Sequence, residues 1–387
     1  MLEKDKQLIY LNNAATSFPK PNPVKNAISN SLENFASTER STNSGSFSEG
    51  SLLLRARNTI SKFFNAEDPQ RVIFTQNCTE ALNYAIKGIL NEGDHVILDN
   101  TSHNSLARPL VALEKKGIIT LTFIDPNDNW LFDFNKIKSL MTNKTKLVAV
   151  SHASNVTGAV QDIKSIGDII KNTESSFLVD AAQSAGQIPI DIQEMSIDFL
   201  ATAGHKSLYG PTGTGILCVS KKVRNLKTIK EGGTGSESES LEQPINFPNI
   251  LESGTHNIHG ISGLLAGIEF IIQEGIEKIR EHETKLTSKL LNSLKEIKGV
   301  KIYGNQDPKK SSSVVSIAIN GFDVADLGGI LIDSFNIVTR AGLHCSPLAH
   351  KFIGTLDTGG TLRISPGYFN TVEEIDRVLN ALEEIVS

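Results

Sequence analysis

Apolar residues are grouped along this chain in two ways, and each predicts one kind of element. Short runs rich in β-branched residues predict strands, whereas apolar residues spaced three and four apart predict amphipathic helices. Strands are predicted near residues 8–11, 71–74, 95–98, 119–124, 147–151, 177–179, 197–200 and 215–220. Helices are predicted from about residue 24, at 52–64 and at 79–90, and between the later strands. This alternation indicates βαβ units and a mainly parallel sheet with helices on both faces.

The last third of the chain has a different pattern. A long helical stretch covers about 261–297, and short strands are predicted at 300–303 and 314–319. Thr371 and Glu374 then have capping-box spacing at the start of a final helix. The apolar stripe of that helix, which predicts a packing role, consists of Val372, Ile375, Leu379, Leu382 and Ile385.

Two segments near the start of the chain do not fit either periodicity. Pro19, Pro21 and Pro23 argue against regular structure where they stand. The serine-rich segment 37–51 has the composition of an ordinary flexible loop and equally that of a flap over an active site. The sequence leaves both interpretations open.

Composition narrows the class of protein. The chain has 387 residues, enough for a large domain and a smaller one, with ordinary hydrophobic (39%) and charged (21%) fractions. A net charge of -5 argues against nucleic acid as a partner, and no apolar run is long enough to span a membrane. The three cysteines suggest no disulfide framework and the first residues lack an apolar signal core, so we expect a cytoplasmic protein.

Candidate chemistry centres on the stretch 202–215, TAGHKSLYGPTGTG, where Lys206 follows His205 in a glycine-rich loop. An apolar run upstream ends on Asp180, and ligands of parallel sheets collect beyond the carboxyl ends of strands. A lysine amine can form a Schiff base with pyridoxal phosphate, while an acid keeps the pyridine nitrogen protonated. A solvated lysine is the alternative, and the nearby Asp180, Gln183 and His205 favour the cofactor.

Several ordered motifs resemble one family. They are YLNNAATSFPKP from residue 10, VDAAQS from 179, GHK from 204, RAGLHCSPLAH from 340 and TLRISPGYFNT from 361. Together they resemble the class V aminotransferases, specifically cysteine desulfurases and selenocysteine lyases. The resemblance implies an α/β fold of the pyridoxal phosphate transferase type I, with a seven-stranded, mainly parallel sheet and a smaller α+β C-terminal domain. We expect an N-terminal segment at 1–15, a large domain at 16–255 and a small domain at 256–387.

Asn77, Cys78 and Thr79 open the helix that follows the strand at 71–74. Backbone N–H groups and hydroxyls at a helix N-terminus bind anions, although a plain cap at Thr79 would explain the same residues. The resemblance assigns this position to the cofactor phosphate, with Cys78 acting through its backbone. It also assigns the stacking partner of the cofactor ring to His103, which is otherwise a solvated loop histidine.

The resemblance implies further cofactor contacts. Asn155, which could instead cap a turn, and Gln183 are expected at the phenolic oxygen of the cofactor. His205 is expected to contact the cofactor beside Lys206, whose pKa must fall from about 10.4 before its amine can attack an aldehyde. Thr255 is expected to reach the phosphate of the neighbouring subunit, which implies a homodimer with shared active sites.

Arg363 is the candidate for the substrate carboxylate, because a guanidinium grips a carboxylate with two parallel hydrogen bonds. A structural salt bridge is the alternative. The resemblance adds Ala15 and Asn155 to the expected substrate contacts.

Cys345 decides the expected reaction. It lies in a glycine-containing loop near Arg340, and neighbouring positive charge favours the reactive thiolate. The resemblance implies that this thiol takes the sulfur of L-cysteine as a persulfide and that L-alanine is released. An inert core cysteine and a metal site with His344 and His350 are the competing interpretations, and we expect no metal.

The short loop around Cys345 resembles the second desulfurase subgroup. We therefore expect a cysteine desulfurase in which Lys206 moves the α-proton and His103 assists, and which passes sulfur to an acceptor protein or small molecule. The alternatives are a selenocysteine lyase, another C–S lyase or aminotransferase on the same cofactor, and a non-catalytic scaffold. Three positions depart from the family: Asn12, the NSGSFS segment at 43–48, and Ala203, where the family has a hydroxyl. Thr202 is the candidate to supply that hydroxyl instead.

Overall fold

The computed structural model describes residues 8–34, 49–237 and 239–387. Its strands are β1 Ile9–Tyr10, β2 Val72–Thr75, β3 Asp94–Asp99, β4 Ile119–Ile124, β5 Thr145–Ser151, β6 Ser176–Asp180, β7 Phe199–Ala203, β8 Gly215–Val219, β9 Val300–Tyr303, β10 Val315–Ile319, β11 Ile337–Val338, β12 Arg340–Gly342 and β13 Thr361–Ile364. Its helices are α1 Asn22–Asn34, α2 Glu49–Phe63, α3 Cys78–Ile89, α4 Asn104–Lys115, α5 Phe134–Leu140, α6 Ile163–Ile170, α7 Ile258–Glu274, α8 Ile276–Leu294, α9 Val324–Phe335, α10 Pro347–Phe352 and α11 Val372–Val386.

The large sheet has seven strands in the order β2-β8-β7-β6-β5-β3-β4. The strands from β7 to β4 are parallel, and β8 runs antiparallel to both of its neighbours. This confirms the predicted mainly parallel sheet. The register pairs Ser151 with Asp180 and Asp180 with Ala201, so the carboxyl ends of β5, β6 and β7 meet at one edge.

Both faces of this sheet are buried, as expected for strands covered by helices on each side. In β5 the residues alternate: Leu147 and Ala149 pack with α3 and α4, whereas Val148 and Val150 pack with α2, α6 and α7. Among the described residues, no helix combines the length and apolar character needed to cross a membrane.

A smaller antiparallel sheet, β12-β13-β10-β9, packs with α8, α9 and α11 around a separate core. β1 pairs in parallel with β11, so the start of the described chain lies with this smaller unit. α7 instead contributes its apolar side chains to the core of the large sheet. The division at residues 15 and 255 stays a prediction.

Two helix boundaries differ from the sequence prediction. Pro23 lies inside α1, which begins at Asn22, because a proline in the first turn gives up an N–H that has no helical partner there. The predicted helix at 261–297 is two helices, α7 and α8, separated by Gly275 with φ of +87°. The capping box of Thr371 and Glu374 is confirmed at the start of α11.

The flap or loop expected at 37–51 falls mostly outside the described residues. Of that segment, the structure describes the start of α2 alone, so neither interpretation is tested.

A buried ion pair fixes the end of β2 that leads to α3. Glu252 accepts hydrogen bonds from the Phe74 N–H at 2.7 Å, from Arg57 Nη1 at 3.0 Å and from His256 Nε2 at 2.7 Å. Burial by itself would raise the pKa of Glu252, but the bonds from His256 and Arg57 outweigh it and the pKa is lowered. The carboxylate therefore stays charged and holds the strand end in place.

Replacing Glu252 with Gln is expected to destabilise the fold by about 3–5 kcal/mol, because Arg57 would be left buried without its counter-charge. Glu269 is a matched control: it pairs with Arg55 at 2.7 Å, but the two side chains are 41% and 62% exposed. Glu269→Gln should leave the denaturation midpoint almost unchanged. Equal shifts for the two variants in chemical denaturation would contradict the role given to Glu252.

Candidate active site

A cavity of about 220 Å³ lies at the edge where β5, β6 and β7 end. The predicted site residues other than Cys345 and Thr255 line this cavity: Ala15, Asn77, Cys78, Thr79, His103, Asn155, Asp180, Gln183, His205, Lys206 and Arg363. Residues that are far apart in the sequence therefore meet here because of the strand order and register.

Lys206 stands in a tight turn directly after β7. The Tyr209 N–H donates to the Lys206 carbonyl at 2.9 Å, and the Gly210 N–H donates to the Gly204 carbonyl at 2.8 Å. Gly204 leaves no room for a side chain, since a Cβ atom there would lie 2.2 Å from Thr214 Oγ1. Burial lowers the pKa of Lys206, and this effect exceeds that of the Asp180 charge, which raises it. A larger fraction of the amine is therefore neutral than in a solvated lysine.

The N-terminal segment holds this turn from the other side. The carbonyl of His205 accepts hydrogen bonds from Thr16 Oγ1 at 3.0 Å, from the Ser17 N–H at 3.1 Å and from Lys20 Nζ at 2.7 Å. Ser17 Oγ donates to the Lys206 carbonyl at 2.9 Å. Burial lowers the pKa of Lys20 to about 8. The sequence does not predict this contact, because no local pattern around Thr16, Ser17 and Lys20 indicates a hydrogen bond to a carbonyl 185 to 189 residues away.

Asp180 lies at the end of β6 and is buried. Its Oδ1 accepts hydrogen bonds from the Ala182 N–H at 2.9 Å and from Cys78 Sγ at 3.4 Å. Burial, followed by the charge of Asp180, raises the pKa of Cys78 well above its usual value. Cys78 is therefore a protonated donor at neutral pH, which agrees with the prediction that its thiol is not a nucleophile.

The first turn of α3 lines the cavity and brings backbone N–H groups to it. Asn77 is the N-cap, and its side chain accepts from the Glu80 N–H at 2.9 Å. The alternative interpretation, a cap at Thr79, is therefore wrong: Asn77 is the N-cap, and Thr79 Oγ1 lies 2.7 Å from Ser105 Oγ. The N–H groups of Cys78 and Thr79 lie in the first turn, where no helical acceptor exists.

His103 caps α4 and takes a defined tautomer. Its Nδ1 accepts the Ser105 N–H at 3.0 Å, so in the neutral ring the proton is on Nε2. Burial, followed by the charge of Lys206, lowers the pKa of His103 to about 4. The ring is therefore neutral at pH 7. Ser105 also lines the cavity, and sequence analysis missed it because a serine after a histidine has no distinctive spacing.

Arg363 lies in β13 and is 1% exposed. Nη1 donates to the Asn155 carbonyl and Nη2 to Asn12 Oδ1, both at 3.1 Å, while Nε is buried and has no partner in the part of the chain that the structure describes. Burial, followed by the charge of Arg340, lowers the pKa of Arg363 to about 9, which leaves the guanidinium charged at neutral pH. The alternative interpretation of Arg363 was a structural salt bridge. Among the described residues, Arg363 has no carboxylate partner, because its hydrogen bonds go to a carbonyl oxygen and an amide oxygen.

The Cys345 loop connects β12 to α10 and is held by its backbone. Asn155 Nδ2 donates to the His344 carbonyl at 2.7 Å, and Asn155 Oδ1 accepts from Ser346 Oγ at 2.8 Å. The Asn104 N–H donates to the Cys345 carbonyl at 2.8 Å. Cys345 is exposed and has φ of +59°. The side chain of Asn155 thus positions the loop as well as lining the cavity.

The thiol of Cys345 lies at the rim of the cavity. Its Sγ is 3.5 Å from Arg340 Nη2, and Arg340 and His344 line the cavity. Within the part of the chain that the structure describes, no cluster of three or more His, Cys, Asp and Glu residues has a metal-binding arrangement.

The remaining predicted residues have these positions. Gln183 Nε2 donates to the Ala14 carbonyl at 3.0 Å, and His205 Nδ1 is buried without a partner. Thr202 Oγ1 donates to the Ala181 carbonyl at 3.3 Å and lies outside the cavity, so it does not replace the hydroxyl absent at Ala203. Thr255 lines a separate cavity of about 110 Å³ that borders the segment leading into α3.

The charges of the cavity favour anionic ligands. Lys206, Arg340 and Arg363 line it, and among the described lining residues Asp180 is the one carboxylate. Arg363 Nε, which has no partner among the described residues, the first-turn N–H groups of α3 and a lysine of lowered pKa fit a phosphorylated aldehyde together with a carboxylate substrate. The residues present therefore fit pyridoxal phosphate.

Comparisons with known proteins identify the family and agree with the fold. The pattern of the Aminotransferase class-V family matches residues 9–378. A probable cysteine desulfurase of Methanothermobacter thermautotrophicus is 35% identical, over 97% of this chain and 94% of the relative. The apo structure of a cysteine desulfurase from Thermococcus onnurineus NA1 has a TM-score of 0.91 at 32% identity, covering 98% and 94% of the two chains. The cysteine desulfurase CsdA from Escherichia coli, in its S-sulfonic acid form, has a TM-score of 0.85 at 26% identity, covering 98% and 96%.

The exposure of the three cysteines predicts selective alkylation of the native protein. Cys345 is exposed, whereas Cys78 and Cys218 are buried and burial raises the pKa of both thiols. We expect iodoacetamide to modify Cys345 alone before denaturation and all three cysteines afterwards, as measured by peptide mass spectrometry. Cys345→Ser should remove the native reaction, and comparable native labelling of Cys78 or Cys218 would contradict the described packing.

Proposed function

Because the chain belongs to the aminotransferase class-V family, we propose that it is a cysteine desulfurase that converts L-cysteine to L-alanine and holds the sulfur as a persulfide on Cys345. One observation carries the proposal. An exposed thiol stands at the rim of a cavity that also contains a lysine of lowered pKa, a buried aspartate and an arginine with an unpaired N–H. This combination serves sulfur removal from an amino acid better than transamination, which needs no thiol.

The cofactor proposed for this cavity is pyridoxal 5′-phosphate, which withdraws electrons from the carbon atoms of an attached amino acid when it is bound. The N–H groups of Cys78 and Thr79 at the start of α3 would hold its phosphate. Lys206 would hold its aldehyde carbon, and Asp180 would hold a proton at its ring nitrogen. Asn77, Gln183 and His205 complete the proposed lining.

Lys206 and His103 are the proposed groups for proton movement. The lowered pKa of Lys206 lets its Nζ take a proton from the substrate α-carbon once the amine is released. His103 is neutral, and its Nδ1 is occupied by the Ser105 N–H, so Nε2 is the nitrogen that faces a ligand. We propose that this ring stacks on the cofactor and donates from Nε2.

Arg363 is proposed to orient the substrate. Its unpaired Nε and its Nη groups can grip the carboxylate of L-cysteine, with the Asn155 carbonyl and Asn12 Oδ1 keeping the guanidinium plane in place. Ala15 is a small residue at the same wall of the cavity.

Sulfur transfer is assigned to Cys345. Its thiolate attacks the substrate sulfur, an S–S bond forms, and the C–S bond breaks. The electron pair of the broken bond stays with the substrate carbon, which takes up a proton and becomes the methyl group of alanine. Sulfur is thereby held in the persulfide until an acceptor protein or small molecule removes it from the exposed thiol.

The shortness of the loop around Cys345 supports assigning this chain to the second, short-loop subgroup of desulfurases. Only residues 343–346 separate β12 from α10, and hydrogen bonds from Asn155 and Asn104 tie their backbone. We further propose a cytoplasmic homodimer with shared active sites. Its support is the position of Thr255 in a second cavity that borders the segment leading into α3.

Cys345→Ala is expected to lower the rate of sulfide release from L-cysteine to background, because the thiol that takes up the substrate sulfur is removed. Sulfide is measured with a reductant present. The control is Cys218→Ala, which removes a buried thiol in β8 and should retain activity. Undiminished sulfide release by Cys345→Ala would remove the persulfide assignment and favour another C–S lyase or a selenocysteine lyase.

Borohydride trapping tests the role of Lys206. Because burial lowers the pKa of Lys206, a larger fraction of its amine is neutral at pH 7 than for an exposed lysine. Borohydride should therefore attach the cofactor covalently to Lys206. Mass spectrometry should find the added pyridoxyl mass on the Lys206 peptide, with none in Lys206→Met. Lys221→Met, a change at the exposed surface, should leave trapping intact. A pyridoxyl mass on another lysine of the wild type would overturn the assignment.

A further inference from the structure

We propose that Ser105 is a further cofactor-binding residue, whose hydroxyl reaches from α4 to the phosphate at the start of α3. The inference rests on the proposed function, since the phosphate belongs to pyridoxal phosphate. It goes further by assigning a contact to a side chain that neither the motifs nor the comparisons identify.

The position of the hydroxyl carries the inference. Ser105 Oγ lies 2.7 Å from Thr79 Oγ1 and 2.9 Å from His103 Nδ1, and all three residues line the cavity. One hydroxyl therefore connects the anion-binding turn of α3 with the ring expected to stack on the cofactor. Ser105 is partly exposed towards the cavity, so its hydroxyl is accessible to a ligand.

Another residue that lines the cavity, Ala203, supplies no hydroxyl. Ala203 closes β7 and lines the cavity with a methyl group, and the hydroxyl of Thr202 is directed to the Ala181 carbonyl. Adjacent residues of a strand point to opposite faces, so Thr202 cannot turn towards the cavity without breaking the strand. At the N-terminus of α3, the hydroxyls that line the cavity are therefore those of Thr79 and Ser105.

The backbone of Ser105 has a separate task that a side-chain change leaves intact. Its N–H donates to His103 Nδ1 at 3.0 Å and so fixes the tautomer of that ring. Ser105→Ala keeps this N–H and removes only the hydroxyl. The variant also removes the 2.9 Å contact between the hydroxyl and His103 Nδ1, so binding of a cofactor without the phosphate is needed to separate phosphate binding from the positioning of His103.

The test measures binding to the apoenzyme by equilibrium dialysis, with pyridoxal 5′-phosphate and with pyridoxal, which lacks the phosphate. Ser105→Ala should weaken pyridoxal phosphate binding roughly tenfold or more, since a hydrogen bond to a charged group is lost. Binding of pyridoxal should stay within about a factor of two, because no phosphate contact is involved. Adding Ala203→Ser to Ser105→Ala should restore part of the lost affinity, since it places a new hydroxyl in the lining of the same cavity.

Ser102→Ala is the matched control. Ser102 precedes His103, and its hydroxyl donates to the Asp99 carbonyl at 2.7 Å, outside the cavity, so cofactor affinity should be unchanged. Equal pyridoxal phosphate affinity in Ser105→Ala and wild type would overturn the inference while leaving the proposed function standing. Equal losses for pyridoxal and pyridoxal phosphate would also overturn it. A wild-type apoenzyme that binds no pyridoxal phosphate would instead remove the proposed function.

Discussion

The cavity at the edge of the large sheet is lined by more cationic side chains than carboxylates. This excess of positive charge determines which ligands the site favours. Lys206, Arg340 and Arg363 face Asp180 there, and burial lowers the pKa of both Lys206 and Arg363. Keeping unpaired charge out of water costs free energy. An anionic ligand that supplies the missing charge therefore binds favourably and stabilises the folded state. A phosphate at α3 and a carboxylate at Arg363 would do so at two separate places.

The two sheets contribute different parts of this site. The large sheet brings Asp180 and Lys206, through strand ends that the parallel register sets side by side. The smaller sheet brings Arg363 from β13 and the Cys345 loop after β12. Asn155 joins the two, because its carbonyl accepts from Arg363 and its side chain holds the loop on both sides of Cys345. A displacement of the smaller sheet would therefore move Arg363 and the Cys345 thiol together.

The sequence predicts most of the fold and the lining of the cavity, and the residues it misses share a physical cause. Strand ends and Lys206 are predictable because the alternation of apolar runs and helices is a local property, and parallel strands bring their carboxyl ends together. Ser105 and Lys20 act through contacts with Thr79 and the His205 carbonyl, which no local pattern encodes. The break between α7 and α8 was missed because the apolar periodicity continues across Gly275, whose φ of +87° ends the first helix.

The attachment of the Cys345 loop restricts where its thiol can move. The backbone at His344 and Cys345 has positive φ, an unfavourable conformation for residues with side chains, and it is kept by the bonds from Asn155 and Asn104. Because these bonds hold the carbonyls on either side of the thiol, side-chain rotation is the freedom left to Sγ. In the persulfide role proposed for it, the thiol would serve a substrate inside the cavity and an acceptor outside it from nearly one position. Such an acceptor would have to approach the rim beside Arg340, since a short, tied loop would not carry the sulfur outwards.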